Sequence, residues 1–154
     1  MHLHGTVSSG LGRAHVFMAQ LHYQEQFRDI LGQTAWPGTL NVTVKAEDLP
    51  GYIALRQKAG IDTLDAEDSD RAAAAAVDVD AHRLHRVRGF LRDGVSFGGA
   101  SAYTAVMHAN GSEVPCAILI PDLTRHVDVI EIIAPVFLRE HLDLTDGDSV
   151  TISL

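Results

Sequence analysis

Pro37-Gly38-Thr39-Leu40-Asn41-Val42-Thr43-Val44-Lys45 carries the clearest two-residue repeat in the chain. Leu40, Val42 and Val44 fall on one side and Thr39, Asn41, Thr43 and Lys45 on the other, the pattern of a β-strand with one face toward a core. The same spacing turns the Thr39 hydroxyl and the Asn41 carboxamide the same way, so two neutral oxygens converge near the strand's start. Mg²⁺ takes few protein oxygens and completes its shell with water and substrate phosphate, so such a pair suffices as its platform where a polyphosphate is present. A plain strand start after a Pro-Gly turn accounts for the same residues without any chemistry.

Working outward, further strands are predicted at 2–8, 14–18, 84–91, 95–107 (across Gly98-Gly99), 114–120, 129–133 and 149–154. Arg92-Asp93-Gly94 and Ala109-Asn110-Gly111 are hairpin-turn signals. Helices are fewer. Tyr23, Phe27, Ile30 and Leu31 recur at helical spacing over 21–31, with Gly32 placed to stop the helix. Shorter helical stretches are expected at 52–59 and 136–142. Regular strand–helix alternation is missing, so the pattern predicts a mainly β fold, a closed or nearly closed barrel with short helical crossings. The chain reads as a single domain over 1–154, interrupted at 61–80 by seven acids, one arginine and the run Ala72-Ala73-Ala74-Ala75-Ala76. That stretch offers little to bury and reads as a solvated, mobile excursion or a marginal helix.

Composition narrows the function. The formal charge is -8, with only two lysines, Lys45 and Lys58, which argues against a nucleic-acid surface. The arginines are enough for one local anion pocket, since guanidinium grips phosphate bidentately. One cysteine, Cys116, lies in an apolar run, so no disulfide framework forms within the chain. The start, Met1-His2-Leu3-His4-Gly5, has no basic-then-apolar leader pattern, and no apolar run is long enough to cross a bilayer, so a cytoplasmic protein is expected. Nine histidines occur without His-Glu-x-x-His or Cys-x-x-Cys spacing, which argues against zinc, and the absence of Gly-x-Ser-x-Gly argues against covalent catalysis.

Two segments flank the Thr39-Leu40-Asn41 strand with related chemistry. Gly10-Leu11-Gly12 allows a sharp turn whose amides approach an anion closely, although neither the dinucleotide-binding glycine pattern nor Gly-Lys-Ser/Thr accompanies it. Later, Thr124, His126, Asp128, Glu131, Arg139 and Glu140 crowd around an apolar strand. Glu131 projects opposite to Ile130 and Ile132, toward either solvent or a cavity, and in a cavity it accepts a proton from a hydroxyl. The plain alternatives are an edge-strand glutamate and, for Arg139, a surface ion pair.

Taken in order, Gly5-Thr6-Val7-Ser8-Ser9-Gly10-Leu11-Gly12, Tyr23 with Phe27, Leu31-Gly32, Pro37-Gly38-Thr39-Leu40-Asn41, Ile120-Pro121, Glu131-Ile132-Ile133-Ala134-Pro135, Leu138-Arg139-Glu140 and Asp146-Gly147-Asp148 resemble the archaeal CTP-dependent riboflavin kinases. The resemblance spans nearly the whole chain outside the acidic insert. It implies a six-stranded cradle-loop β-barrel and Mg²⁺-dependent transfer of the CTP γ-phosphate to the riboflavin 5′-hydroxyl, giving FMN and CDP. By position it implies Thr39 and Asn41 as magnesium ligands. It further implies Gly10, Leu11, Gly12, Arg13, Ala14 and His15 as the first nucleotide loop, and Val136, Phe137, Leu138 and Arg139 as the second nucleotide segment. Thr124 and Glu131 are implied as flavin contacts, with Glu131 the candidate base. Arg13 and Ala14 replace a glycine and an acid of the family's pattern. That departure supports the rival expectation, a non-catalytic flavin- or nucleotide-binding module of the same fold.

Overall fold

The computed structural model describes residues 1–10 and 12–154. In chain order the elements are β1 (His2–Ser8), α1 (Ala14–Met18), α2 (Leu21–Leu31), β2 (Leu40–Val44), α3 (Leu49–Lys58), α4 (Asp68–Ala74), β3 (His85–Val87), β4 (Phe90–Arg92), β5 (Val95–Phe97), β6 (Ala100–Ala109), β7 (Ser112–Pro121), β8 (Val129–Ile133), α5 (Leu138–His141) and β9 (Ser149–Ser153). The main sheet runs β3-β6-β7-β8-β2-β1-β9, and β6 also pairs with β9. That last pairing, with Met107 opposite Ile152, closes six antiparallel strands into the barrel that the strand pattern predicts. Closure removes the free edges that an open sheet exposes.

Alternation along the strands decides what fills the barrel. Leu3, Val7, Val42, Tyr103, Met107, Ile118 and Ile132 belong to the interior cluster. The opposite faces of β6, β7 and β8 supply Ala102, Ala117, Leu119 and Ile133, and α2 lays Tyr23 and Phe27 over them. These two rings stand one helical turn apart, so a single helix face covers small residues with large ones. Gly32, at φ +79°, ends the helix as expected. Helix α3 seals one end: the Tyr103 hydroxyl donates to the Leu55 carbonyl (2.8 Å) and the Tyr52 hydroxyl to that of Val129 (3.2 Å). Both hairpin turns form as predicted, with Asn110 and Gly111, and Asp93 and Gly94, at positive φ.

Three expectations are corrected or narrowed. The stretch 14–18 is helix α1, not a strand. A five-residue apolar run does not distinguish the two, and both edges of β1 are already taken by β2 and β9. Of the two readings of the acidic stretch the short helix holds and the solvated excursion does not: α4 packs on α3, and Ala74, with Ala66 just before the helix, is buried against Ile53 and Ala54. Ala66 and Ala74, too small to signal a core, are the residues that dock, while Ala72, Ala73, Ala75 and Ala76 stay exposed. Finally, 84–91 is two strands broken at Gly89. A Cβ there would lie 2.4 Å from the Phe97 carbonyl oxygen, because the separate β4–β5 ribbon folds back on this point.

Candidate active site

Pairing of β2 with both neighbours assembles the polar row. Asn41 lies opposite Ser8 on β1 and opposite Glu131 on β8. Asn41 is nearly buried, at 9% exposure. It has room only because residue 10 is glycine: a Cβ at Gly10 would sit 2.4 Å from Asn41 Nδ2. The first loop therefore closes directly onto Asn41. The Thr39 side chain, one residue before β2, stands close enough to the Glu131 carboxylate to favour its charged form. Burial pushes the Glu131 carboxyl above its ordinary value, while the charge of His126 and the nearby Thr39 side chain pull it back. A half-buried carboxylate shifted toward neutrality is suited to holding or receiving a proton.

Two cavities share this corner. The larger, about 270 Å³, has apolar walls that include Phe17, Met18, Tyr23, Phe27, Leu119 and Leu123, and its ionisable carboxylates are Glu131 and Asp122. The smaller cleft, about 30 Å³, is lined by Trp36, Gly38, Val136, Phe137, Leu138 and Arg139 among others. Thr39 lines both. In the cleft the rings of Trp36 and Phe137 stack at 4.1 Å and 10°. Gly38 permits this, since a Cβ there would meet the indole at 2.4 Å. Arg139 donates to the Ser8 carbonyl (3.3 Å) and to Asp146 (2.8 Å), and the Ser9 hydroxyl donates to the same Asp146 carboxylate. One carboxylate thus ties the end of β1 to the 136–139 segment.

The residues singled out from sequence fall into three groups. Thr39, Asn41, Glu131 and Gly10 come together, and Val136, Phe137, Leu138 and Arg139 join them through the cleft. Gly12 takes the left-handed conformation (φ +70°) and its carbonyl lies 3.1 Å from His15 Nδ1. Arg13 precedes α1 with ordinary negative φ, Ala14 lines the aromatic cavity, and Leu11 lies outside the described residues. Thr124 stands apart: its hydroxyl accepts the His126 N–H (3.3 Å), and the cavity wall beside it is made by Asp122 and Leu123. Trp36, Phe17 and Asp122 carry no motif, and sequence reasoning passes over them. Asp122 owes its setting to Arg86, thirty-six residues away.

The donor set fits a hard cation that shares its shell with phosphate. Thr39 and Asn41 offer neutral oxygens beside one carboxylate. Among the described residues no group of three or more His, Cys, Asp or Glu is gathered to hold a metal without such help. Nor, among those residues, is any helix long and apolar enough to cross a membrane.

A family model for CTP-dependent riboflavin kinases, described as "Domain of unknown function DUF120", matches residues 7–79 and 62–154. Curated relatives named riboflavin kinase include those of Halobacterium salinarum (38% identical over 152 residues), Thermofilum pendens (36% over 152) and Thermoplasma acidophilum (31% over 150). Each alignment covers 97% of this chain and 55%, 57% and 56% of the respective relative, so the chain spans little more than half their length. With the matched residues taking in both walls of the aromatic cavity, the strand that carries Asn41 and the cleft beyond it, the chain belongs to the CTP-dependent riboflavin kinase family.

Proposed function

We propose that this chain transfers the γ-phosphoryl group of CTP to the 5′-hydroxyl of riboflavin, giving FMN and CDP, with Mg²⁺ as cofactor. The observation that carries the reading is the position of Thr39, which lines both the aromatic cavity and the cleft beside Arg139. A flat tricyclic ring suits the larger cavity, whose aromatic walls offer stacking and edge contacts. Its ribityl tail then reaches the Thr39–Glu131 corner. Glu131 orients the 5′-hydroxyl and takes its proton, and Thr39 fixes the carboxylate for that task.

Phosphoryl transfer needs positioning and charge neutralisation more than a covalent partner. The amides of Gly10 and Gly12 and the Arg139 guanidinium supply fixed positive poles toward the phosphates. Thr39 and Asn41 would hold Mg²⁺, which when bound neutralises polyphosphate charge. Ordering of the two loops follows from Asp146, which binds Ser9 and Arg139 together.

The test is direct. Purified protein with riboflavin, Mg²⁺ and each nucleoside triphosphate in turn is expected to form FMN, read by chromatography, with CTP the best donor. Glu131→Gln and Asn41→Ala are each expected to lower kcat/KM by about a hundredfold or more. Binding of both ligands without product from any triphosphate would leave the non-catalytic module in its place. A preference for ATP would retain the kinase and reject the cytidine assignment.

A further inference from the structure

Asp122 stands in the wall of the aromatic cavity, yet phosphoryl transfer gives it no task. It follows β7 immediately, and Arg86 of β3 grips both of its carboxylate oxygens through Nη1 and Nη2. Nη1 also donates to the Ser101 hydroxyl (3.3 Å), and the Asp122 N–H donates to the Gly99 carbonyl (3.0 Å). The pairing is built into the backbone. A Cβ at Gly99 would lie 2.5 Å from Arg86 Nη2 and 2.8 Å from Asp122 Oδ2, so only glycine lets the two groups meet there. The result is a fixed, acceptor-only group at the edge of a mostly apolar chamber.

Its distance from the reacting corner is set by the strand. Glu131 lies opposite Leu119 in the β7–β8 register, and Asp122 comes three residues after Leu119, about 10 Å further along at the rise of a strand. A fused-ring ligand whose tail ends at Glu131 therefore presents its far edge near Asp122, in a chamber whose walls include Phe17, Tyr23 and Phe27. An acceptor-only carboxylate selects an N–H. Oxidised isoalloxazine has one ring N–H, at N3.

We infer that Asp122, held by Arg86, recognises the N3–H of the isoalloxazine ring and sets the enzyme's flavin specificity, with Arg86 acting as a positioning residue. The inference rests on the riboflavin reading of the cavity. It adds a recognition contact at the end of the ligand opposite to the chemistry.

Calorimetric titration of the unaltered protein with riboflavin and with 3-methylriboflavin tests it without any substitution. Riboflavin is expected to bind at least about tenfold more tightly, the worth of a charge-assisted hydrogen bond. In Asp122→Ala the two ligands are expected to bind within about threefold of each other, because riboflavin loses its advantage and the analogue gains room. Asp122→Asn keeps the shape and an uncharged acceptor, and its ratio is expected to fall between. Arg86→Met is expected to raise KM for riboflavin while leaving kcat at saturation and KM for the nucleotide within about twofold. Equal affinities in the unaltered protein, or an unchanged ratio in both Asp122 variants, overturn the N3 contact while leaving the kinase reading intact. If neither flavin binds the unaltered protein, both readings fall.

Discussion

Gly10 has no side chain, and the Asn41 amide occupies the space one would take. Gly10→Ala is expected to push Asn41 out of line and lower kcat/KM by tenfold or more, at the order set by ångström-scale misplacement. Thermal unfolding is expected to change little, since Gly10 is not among the residues at positive φ and the clash falls on a side-chain tip. A variant with full activity would remove Asn41 from the site. Much of this corner is legible in the sequence, because alternation alone turns Thr39 and Asn41 the same way. The third member is legible only as a choice between solvent and cavity. Glu131 joins them through the β2–β8 register, a long-range pairing that local pattern does not encode. Asp122 is further out of reach, since neither it nor Arg86 belongs to any short motif.

At the level of elements, α3 buries Arg56 to 1% exposure. Its Nη2 reaches the Asp62 carbonyl at 3.4 Å and Asp65 at 3.8 Å, while Nε and Nη1 have no partner among the described residues. A buried cation so poorly compensated costs more in desolvation than it returns. Arg56→Met is therefore expected to hold or raise Tm, and a clear loss would assign the guanidinium an anchoring role between α3 and the residues before α4. The Arg86–Asp122 pair makes an opposite forecast. The bond from Arg86 holds the Asp122 carboxyl below its ordinary value of 3.8, so the folded protein binds that proton less readily than the unfolded chain. The stabilisation is thus present above that value and is lost as pH falls through the lower, folded one. Asp122→Asn is expected to lower Tm modestly at neutral pH, and the difference is expected to vanish in strongly acid thermal scans. A constant difference at all pH would show that packing, not charge, is at stake. Element type is legible where length and period agree, as in α2, whose bounds match the expected 21–31. It fails for α1, where five residues hold too little period, and it leaves α4 undecided between helix and solvated loop, because its alanines give no apolar stripe.

Across the whole molecule, the barrel is legible as a count of strands without regular helices between them, but its closure is not. The β6–β9 pairing joins distant parts of the chain, and β6 is long enough to serve β3 with its first residues and β9 with its last. Closure places the aromatic chamber and the cleft on either side of Thr39. The cleft is narrow, about 30 Å³, and the Trp36–Phe137 stack stands in its wall. A cytosine bound in this cleft lies against the Trp36–Phe137 stack. Trp36 is the only tryptophan in the chain, so the molecule carries an intrinsic fluorophore at the gate of its proposed donor site. Its emission is expected to shift on addition of CTP alone. A flavin absorbs in the same spectral region, so bound riboflavin is expected to quench what remains by energy transfer. The order in which two substrates arrive becomes readable from one indole.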